Sequence, residues 1–440
     1  MAKPPRLRAV TETLRSSRSP ATAPAASVRS GGRPACLETE ARAVPWMAFN
    51  ATRMPSPVSD SAPSFGPTCF LLGSNLPWVR YGFDIGASTA TPSGGLHAQP
   101  EAARELDEAL ARLRRDGVEH ARAFLFCDGR AGIHFSADGM PEGLDESVFE
   151  DVDVLLATAE RHRIGLMLVL FDAGLVAPPG EVDGVRTGGH ADVLDDSSKR
   201  EALVKHILEP LLVRYGSHPA IDAWDIFDEP ECATEAMHCP HPARSSRARR
   251  WGWLTAAWAA SLRALGLRRR SPEVPALVPS SAMRSFLGAA VQAVHAHTRA
   301  LATVGLASTA NLALVEGLGL DFYQAHWWAA YGDAPLRRAA ADFRLDRPLV
   351  LGAFPTSVSS KSVKTVLDTV RCAGYGGAFL WSLRAVDSRG AVDGQLAQWA
   401  RNHAAQLYRR PPRVEAAAEP APVLAVEPVA EAALVPSAPQ

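Results

Sequence analysis

The residues best equipped for chemistry lie in Ala223-Trp224-Asp225-Ile226-Phe227-Asp228-Glu229-Pro230-Glu231, a short apolar run that ends in carboxylates and a proline. Trp224, Ile226 and Phe227 suit a buried strand, whereas Pro230 has no N–H and cannot continue a central ladder, so Glu229 is expected where strand gives way to loop. Burial against an aromatic body raises a carboxyl toward neutrality and equips it to donate a proton. A solvated acid capping a strand is the plainer reading of the same stretch. The elements that present it decide between the two.

Those elements alternate. Strand-like runs are read at Cys69–Asn75, Glu119–Phe126, Gly165–Phe171, Ile221–Phe227, Leu301–Gly305, Leu320–Ala325, Pro348–Ala353 and Gly377–Trp381. Amphipathic stretches of helical length separate them: Glu101–Arg115, Glu146–Arg163, Ser198–Tyr215, Ala282–Arg299, Ser308–Gly317, Pro335–Phe343 and Ser360–Cys372, with Asp393–Leu407 after the last strand. Strict alternation implies right-handed crossovers and a parallel sheet, and eight such repeats predict a closed (β/α)8 TIM barrel of class α/β. The competing doubly wound sheet lacks its signature, because no glycine-rich dinucleotide fingerprint follows the first strand. The barrel is expected over residues 67–410, with an insertion at 237–280 after the fourth strand. Residues 1–66 are Ser-, Ala-, Pro- and Arg-rich and 411–440 are Ala-, Pro- and Glu-rich, so both ends are expected to be disordered and without chemistry.

In a barrel of this kind the working residues sit at the carboxyl ends of the strands. Those ends collect Asn75, Trp78 and Tyr81 after the first strand, Arg122 on the second with Asp128 beyond it, and Asp172 on the third. The sixth leads into Tyr323, His326, Trp327 and Trp328, the seventh into Ala353, and the eighth into Trp381 with Asp387 further on. Aromatic faces stack on the C–H faces of sugar rings while amide, imidazole, guanidinium and carboxylate groups bond hydroxyls, so the mixture points to a carbohydrate. A net charge of −1, from 46 basic and 47 acidic residues, argues against nucleic acid and anionic membrane as partners. No membrane-spanning run or signal-peptide core is read, which makes cytoplasmic the expected location, and the six scattered cysteines are expected to be reduced. Cys232, His238, Cys239 and His241 have some zinc-ligand character, but their spacing and the prolines around them favour a plain loop, so no metal and no cofactor are expected.

These strand ends resemble glycoside hydrolase family 5 and its clan, the retaining cellulase and mannanase type. The similarity runs from about Phe70 to Tyr408 and rests on GSNLPWVRYG, Arg122, AWDIFDEPE, FYQAHWW, LGAFPT and GAFLWSLRAVD. It implies that Glu229 is the general acid/base and Trp381 the platform under the sugar, with Arg122, His326, Asp228, Asn75, Trp78, Trp327 and Tyr323 contributing to substrate binding. Two positions break the pattern: Asp228 stands where the family has Asn, and Ala353 stands where it has the nucleophilic Glu. Retaining chemistry needs two carboxyls about 5 to 5.5 Å apart, and a methyl group cannot attack an anomeric carbon. Three readings follow: a β-linked saccharide-binding barrel with little or no ordinary hydrolysis; an active hydrolase on glucan- or mannan-type sugars that recruits Asp172, Asp128, Asp321, Asp387 or Asp228; or a structural barrel with no sugar ligand.

Overall fold

The computed structural model describes residues 65–235, 277–328, 334–356, 361–384 and 394–409. Eight parallel strands close into a barrel: β1 (Leu71–Asn75), β2 (His120–Phe124), β3 (Gly165–Asp172), β4 (Ile221–Asp228), β5 (Leu301–Leu306), β6 (Tyr323–His326), β7 (Leu349–Pro355) and β8 (Gly377–Trp381). Each pairs with its sequence neighbours, and β1 pairs with β8 to complete the ring. The (β/α)8 expectation therefore holds, each strand lying within three residues of where the apolar runs place it.

The outer layer is helical but uneven. Helix α1 (Pro100–Arg115) buries Ala102, Leu106, Ala109, Leu110 and Leu113, the spacing of a single face, and α2 (Glu146–His162) is capped by Asp145, whose carboxylate accepts the Val148 N–H. The segment Ser197–Tyr215, here α3, contains a π-helical turn at Leu203–Leu208 where the Glu209 N–H reaches back to Val204. Pro210 explains it: with no N–H to offer and a ring that would strike the carbonyl four residues back, it widens the turn before it. Helices α4 (Ser280–His297), α5 (Val363–Cys372) and α6 (Gly394–Asn402) follow. Full helices were expected after β5 and β6, but the structure has only a 3-10 turn (Thr309–Leu314) in the first place and two short pieces (Ala334–Arg337, Ala340–Phe343) in the second. Two antiparallel hairpins not expected from the sequence, Ile133–Phe135 with Pro141–Leu144 and Gly180–Val182 with Val185–Thr187, lie between barrel elements.

Side chains at alternate positions along a strand share a face, so the barrel interior is built in layers. On β2 the inward series is His120, Arg122, Phe124, and on β6 with the residue before it the series is Phe322, Gln324, His326. The amino-terminal layer is apolar, formed by Leu71, Met167, Ala223, Phe322, Val350 and Phe379. Arg122, Asp225 and Gln324 make a polar middle layer, all fully buried. The carboxyl-terminal layer contains Phe124, Val169, Ala353 and Trp381. This layering sets the level at which the candidate site lies.

Cys69 and Cys127 are free thiols, but Cys232 and Cys372 are disulfide-bonded, contrary to the expectation of reduced cysteines. Spread along a chain says little about proximity in space, and that is why the sequence misleads here. The terminal extensions to residue 64 and from 410, residues 236–276 of the insertion with His238, Cys239 and His241, and Asp387 lie outside the described residues. Among the described residues no helix is long and apolar enough to cross a membrane, and no group of three or more His, Cys, Asp and Glu is placed to hold a metal ion.

Candidate active site

The polar middle layer comes first, because everything above rests on it. Arg122 donates from Nε and Nη2 to Oδ2 of Asp225 at 2.8 and 2.7 Å, from Nη2 to Oδ1 of Asp228 at 2.6 Å, and from Nη1 to Oδ1 of Asn75 at 3.2 Å. Asp225 also accepts from Gln324 Nε2 at 2.7 Å and from the Gly305 N–H at 2.9 Å. Gly305 is required by close approach: a Cβ there would lie 2.6 Å from Arg122 Nη2 and 3.2 Å from His326 Nε2. Asn75 spends its amide on the carbonyls of Gly352 and Leu380, at 3.0 and 3.2 Å, tying β1 to β7 and β8. Arg122 and Asn75, expected among the sugar contacts, are wholly buried and committed to the scaffold beneath the site. Asp225, not singled out as a site residue, is the hub of this layer; an acid within an otherwise apolar strand was the available signal, since a buried carboxylate needs partners.

Above this layer β4 ends at Asp228, and Glu229 turns the chain with φ 54° and ψ 51°. Such a left-handed conformation is costly for a non-glycine residue and is held here by the Glu229 N–H donating to the Gly305 carbonyl at 2.6 Å. Oε1 of Glu229 lies 2.9 Å from Nδ1 of His326 and accepts the Trp328 indole N–H at 3.3 Å. Oε2 lies 3.9 Å from the disulfide sulfur of Cys232. The Arg122 guanidinium bonds Asp228, and the His326 imidazole holds Glu229. Burial pushes the Asp228 carboxyl above the usual carboxylate range, with Glu229 and Asp225 adding to the shift and Arg122 and His326 opposing it.

Ala353 lies beside this centre. β7 pairs His326 with Ala353, and the register shifts by one residue on both faces of the strand there. Ala353 is fully buried in an apolar cluster that also contains Phe124, Cys127, Val169 and Trp381, with Trp78, Tyr81 and Trp328 packed against that cluster. Trp381 meets Trp78 and Trp328 edge to face at centroid distances of 6.1 and 6.0 Å, and the Trp381–Ser382 peptide is cis. Glu229, His326, Trp328, Trp381, Trp78, Asp228 and Ala353 are thus brought to one mouth of the barrel. Two expected members are not. Trp327 turns its ring into the core between barrel and helices, because neighbours on a strand face opposite ways, and Trp328 takes the inward position. Tyr323 opens β6 at the other end, and its hydroxyl donates to Asp346 at 2.8 Å.

Other carboxylates surround the mouth. Asp172 pairs in register with Asp228, accepts the Gly174 N–H at 2.6 Å and the Tyr81 hydroxyl at 3.4 Å, and is pushed up to about 7 by burial and by the charge of Asp228. Asp128 is clamped by Arg130 through two hydrogen bonds of 3.0 and 2.7 Å. Asp321 lies just ahead of β6 at the amino-terminal end, bonded to His295 at 2.9 Å, and so is far from the chemistry. Glu231, two residues beyond Glu229, is buried with Oε1 on Asn311 and the Ser308 N–H and with Oε2 unpartnered, and burial pushes it up to about 8. Its folded pKa lies above the ordinary 4.5, so the folded protein holds this proton more tightly than the unfolded chain, and stability is lost as pH rises through that interval. We expect Glu231→Gln to gain on the parent in urea midpoint as pH rises from about 5 to about 8.5. Parallel pH profiles of the two proteins would sink this assignment.

No family model matches the chain. Over 343 residues it is 25% identical to mannan endo-1,4-β-mannosidase of Mytilus edulis, covering 72% of this chain and 84% of that protein. The mannan endo-1,4-β-mannosidase of Cryptopygus antarcticus is 23% identical over 348 residues, 72% of this chain and 81% of that one. Among solved structures, the endo-1,4-β-mannanase of Eisenia fetida superposes with a TM-score of 0.58 at 21% identity, over 76% of this chain and 90% of that one. The β-mannanase of Mytilus edulis gives 0.55 at 22%, over 76% and 91%. The chain therefore resembles a β-mannanase-type glycoside hydrolase barrel.

Proposed function

We propose that this barrel binds β-1,4-linked mannan-type saccharides at the mouth formed by Glu229, Trp328 and Trp381, and that as it stands it carries out little or no ordinary retaining hydrolysis. The observation that carries the reading is Ala353: one strand over from the His326 that holds Glu229, a methyl group stands in the apolar cluster that also contains Phe124, Cys127, Val169 and Trp381. Glu229 is equipped for the acid half of the reaction. Its Oε1 is held by Trp328 and His326, which orients the carboxyl to pass a proton toward a glycosidic oxygen. The partner that would stabilise or attack the oxocarbenium-like carbon is missing from its usual place. Trp381, Trp78 and Trp328 supply the aromatic surface for a sugar ring, and Asp228 can accept from its hydroxyls.

One observation favours a second reading, in which hydrolysis proceeds through a recruited group. Asp172 pairs with Asp228 at the same mouth and is pushed up to about 7, a value suited to a general base near neutrality. Calorimetry with β-1,4-linked manno-oligosaccharides, read alongside product analysis, separates the possibilities. Binding heat with intact ligand, lost in Trp381→Ala, is the expected outcome; flat titrations across a broad oligosaccharide panel would leave a barrel with no sugar ligand. The disulfide bonds of Cys232 and Cys372 favour an oxidising compartment over the cytoplasm, since such bonds persist where thiols are not kept reduced.

A further inference from the structure

The opposite mouth of the barrel holds a second polar device that the proposed saccharide site does not use. A cavity of about 320 Å3 opens at the amino-terminal ends of the strands, walled by Phe65, Met167, Phe322 and Phe379 with His120 and Asp222. His120 begins β2 and Asp222 lies on β4, so β3 runs between them, yet His120 Nδ1 is 2.7 Å from Asp222 Oδ2. Gly165 makes that reach possible: a Cβ there would sit 1.7 Å from Asp222 Oδ2. The strand has given up a side chain, and the carboxylate lies across the gap. The His120 side chain is 3% exposed, its ring lies 5.5 Å from that of Tyr408, and its other nitrogen, Nε2, is shielded from water without a hydrogen-bond partner.

A buried unsatisfied nitrogen costs stability unless something satisfies it. Sequestering Nδ1–H on the carboxylate fixes the tautomer and leaves Nε2 as an acceptor in the wall of a mainly apolar cavity. We propose that this amino-terminal cavity is a ligand site for a small aromatic molecule bearing one hydroxyl, its ring against Phe322 and Phe379 and its O–H donating to His120 Nε2, which a small shift of the lining must first uncover. The volume, roughly twice that of a cavity that takes up benzene, admits a substituted ring, and Nε2 calls for one donor, while Ser217, His218 and Arg299 also line the cavity. A saccharide is a poor match, because an apolar wall leaves most of its hydroxyls unpaired.

The test is a ligand-observed NMR titration of the full chain with phenol and with toluene, probes that differ in the hydroxyl. Phenol is expected to bind roughly fivefold to tenfold more tightly, the worth of one hydrogen bond to an otherwise unpaired group. In His120→Phe that preference should vanish while toluene still binds. If His120→Phe does not fold, Ala223→Val serves in its place: it narrows the cavity floor and should weaken both probes. Equal affinity for phenol and toluene in the unaltered chain overturns the role of His120, and no binding of either overturns the site, whether the space is left empty or filled by the chain's own residues. Manno-oligosaccharide binding at the far mouth is read separately, so failure of one site does not disguise failure of the other.

Discussion

Ala353→Glu is expected to raise release of reducing ends from β-mannan at least on the order of a hundredfold over the unaltered chain, since half of a catalytic pair is worth several orders of magnitude. The new carboxylate would enter the carboxyl-terminal layer beside Trp381, one strand from the His326 that orients Glu229. The gain would be held below the full value by crowding. Ala353 is fully buried in a cluster that includes Phe124 and Val169, and an overpacked layer costs about 1 to 3 kcal/mol. Ala353→Gln, of the same shape and without the charge, is the control and should stay at background. If Ala353→Glu folds, binds oligosaccharide and still releases nothing, the missing carboxylate is not what limits this site.

The second large effect concerns stability. Asp225→Ala is expected to destabilise the barrel by about 3 to 5 kcal/mol, because it leaves the fully buried Arg122 without the partner that takes two of its hydrogen bonds and strands Gln324 Nε2 and the Gly305 N–H as well. Removing one partner of a buried pair exposes an uncompensated charge to a medium that cannot solvate it. The surface pair Arg80 and Glu105, 2.7 Å apart but partly solvated, sets the scale: Glu105→Ala should cost less than about 1 kcal/mol. Urea denaturation of the two variants measures both. Comparable losses would show that the middle layer does not bear the weight assigned to it.

Much of this architecture is readable from residue order. Alternating strands and helices dictate a barrel, and once strand ends are known the convergence of Glu229, His326, Trp381 and Ala353 follows from geometry alone. Register is harder, because a step of one residue reverses a side chain's direction. Trp327 and Trp328 cannot be told apart by composition, and only the pairing of β6 with β7 turns Trp328 inward. Arg122 and Asn75 show another difficulty: a polar side chain in a barrel strand looks available until its partners are counted, and here Asp225, Asp228, Gly352 and Leu380 take hydrogen bonds from them. The hairpin at Gly180–Thr187 carried a signal that went unread, Asp183-Gly184, both with positive φ of 52° and 76°, between the valines Val182 and Val185. The amino-terminal His120–Asp222 pair left none, since nothing in sequence links residues on strands separated by a third.

On the proposed reading, a sugar-sized mouth keeps its proton donor, Glu229, and lacks an attacking group at Ala353. Prolonged incubation of the unaltered chain with soluble β-mannan, with reducing ends quantified against Glu229→Gln under the same conditions, tests it most directly. The two proteins should be indistinguishable from the blank; steady release by the unaltered chain that Glu229→Gln abolishes would contradict the claim.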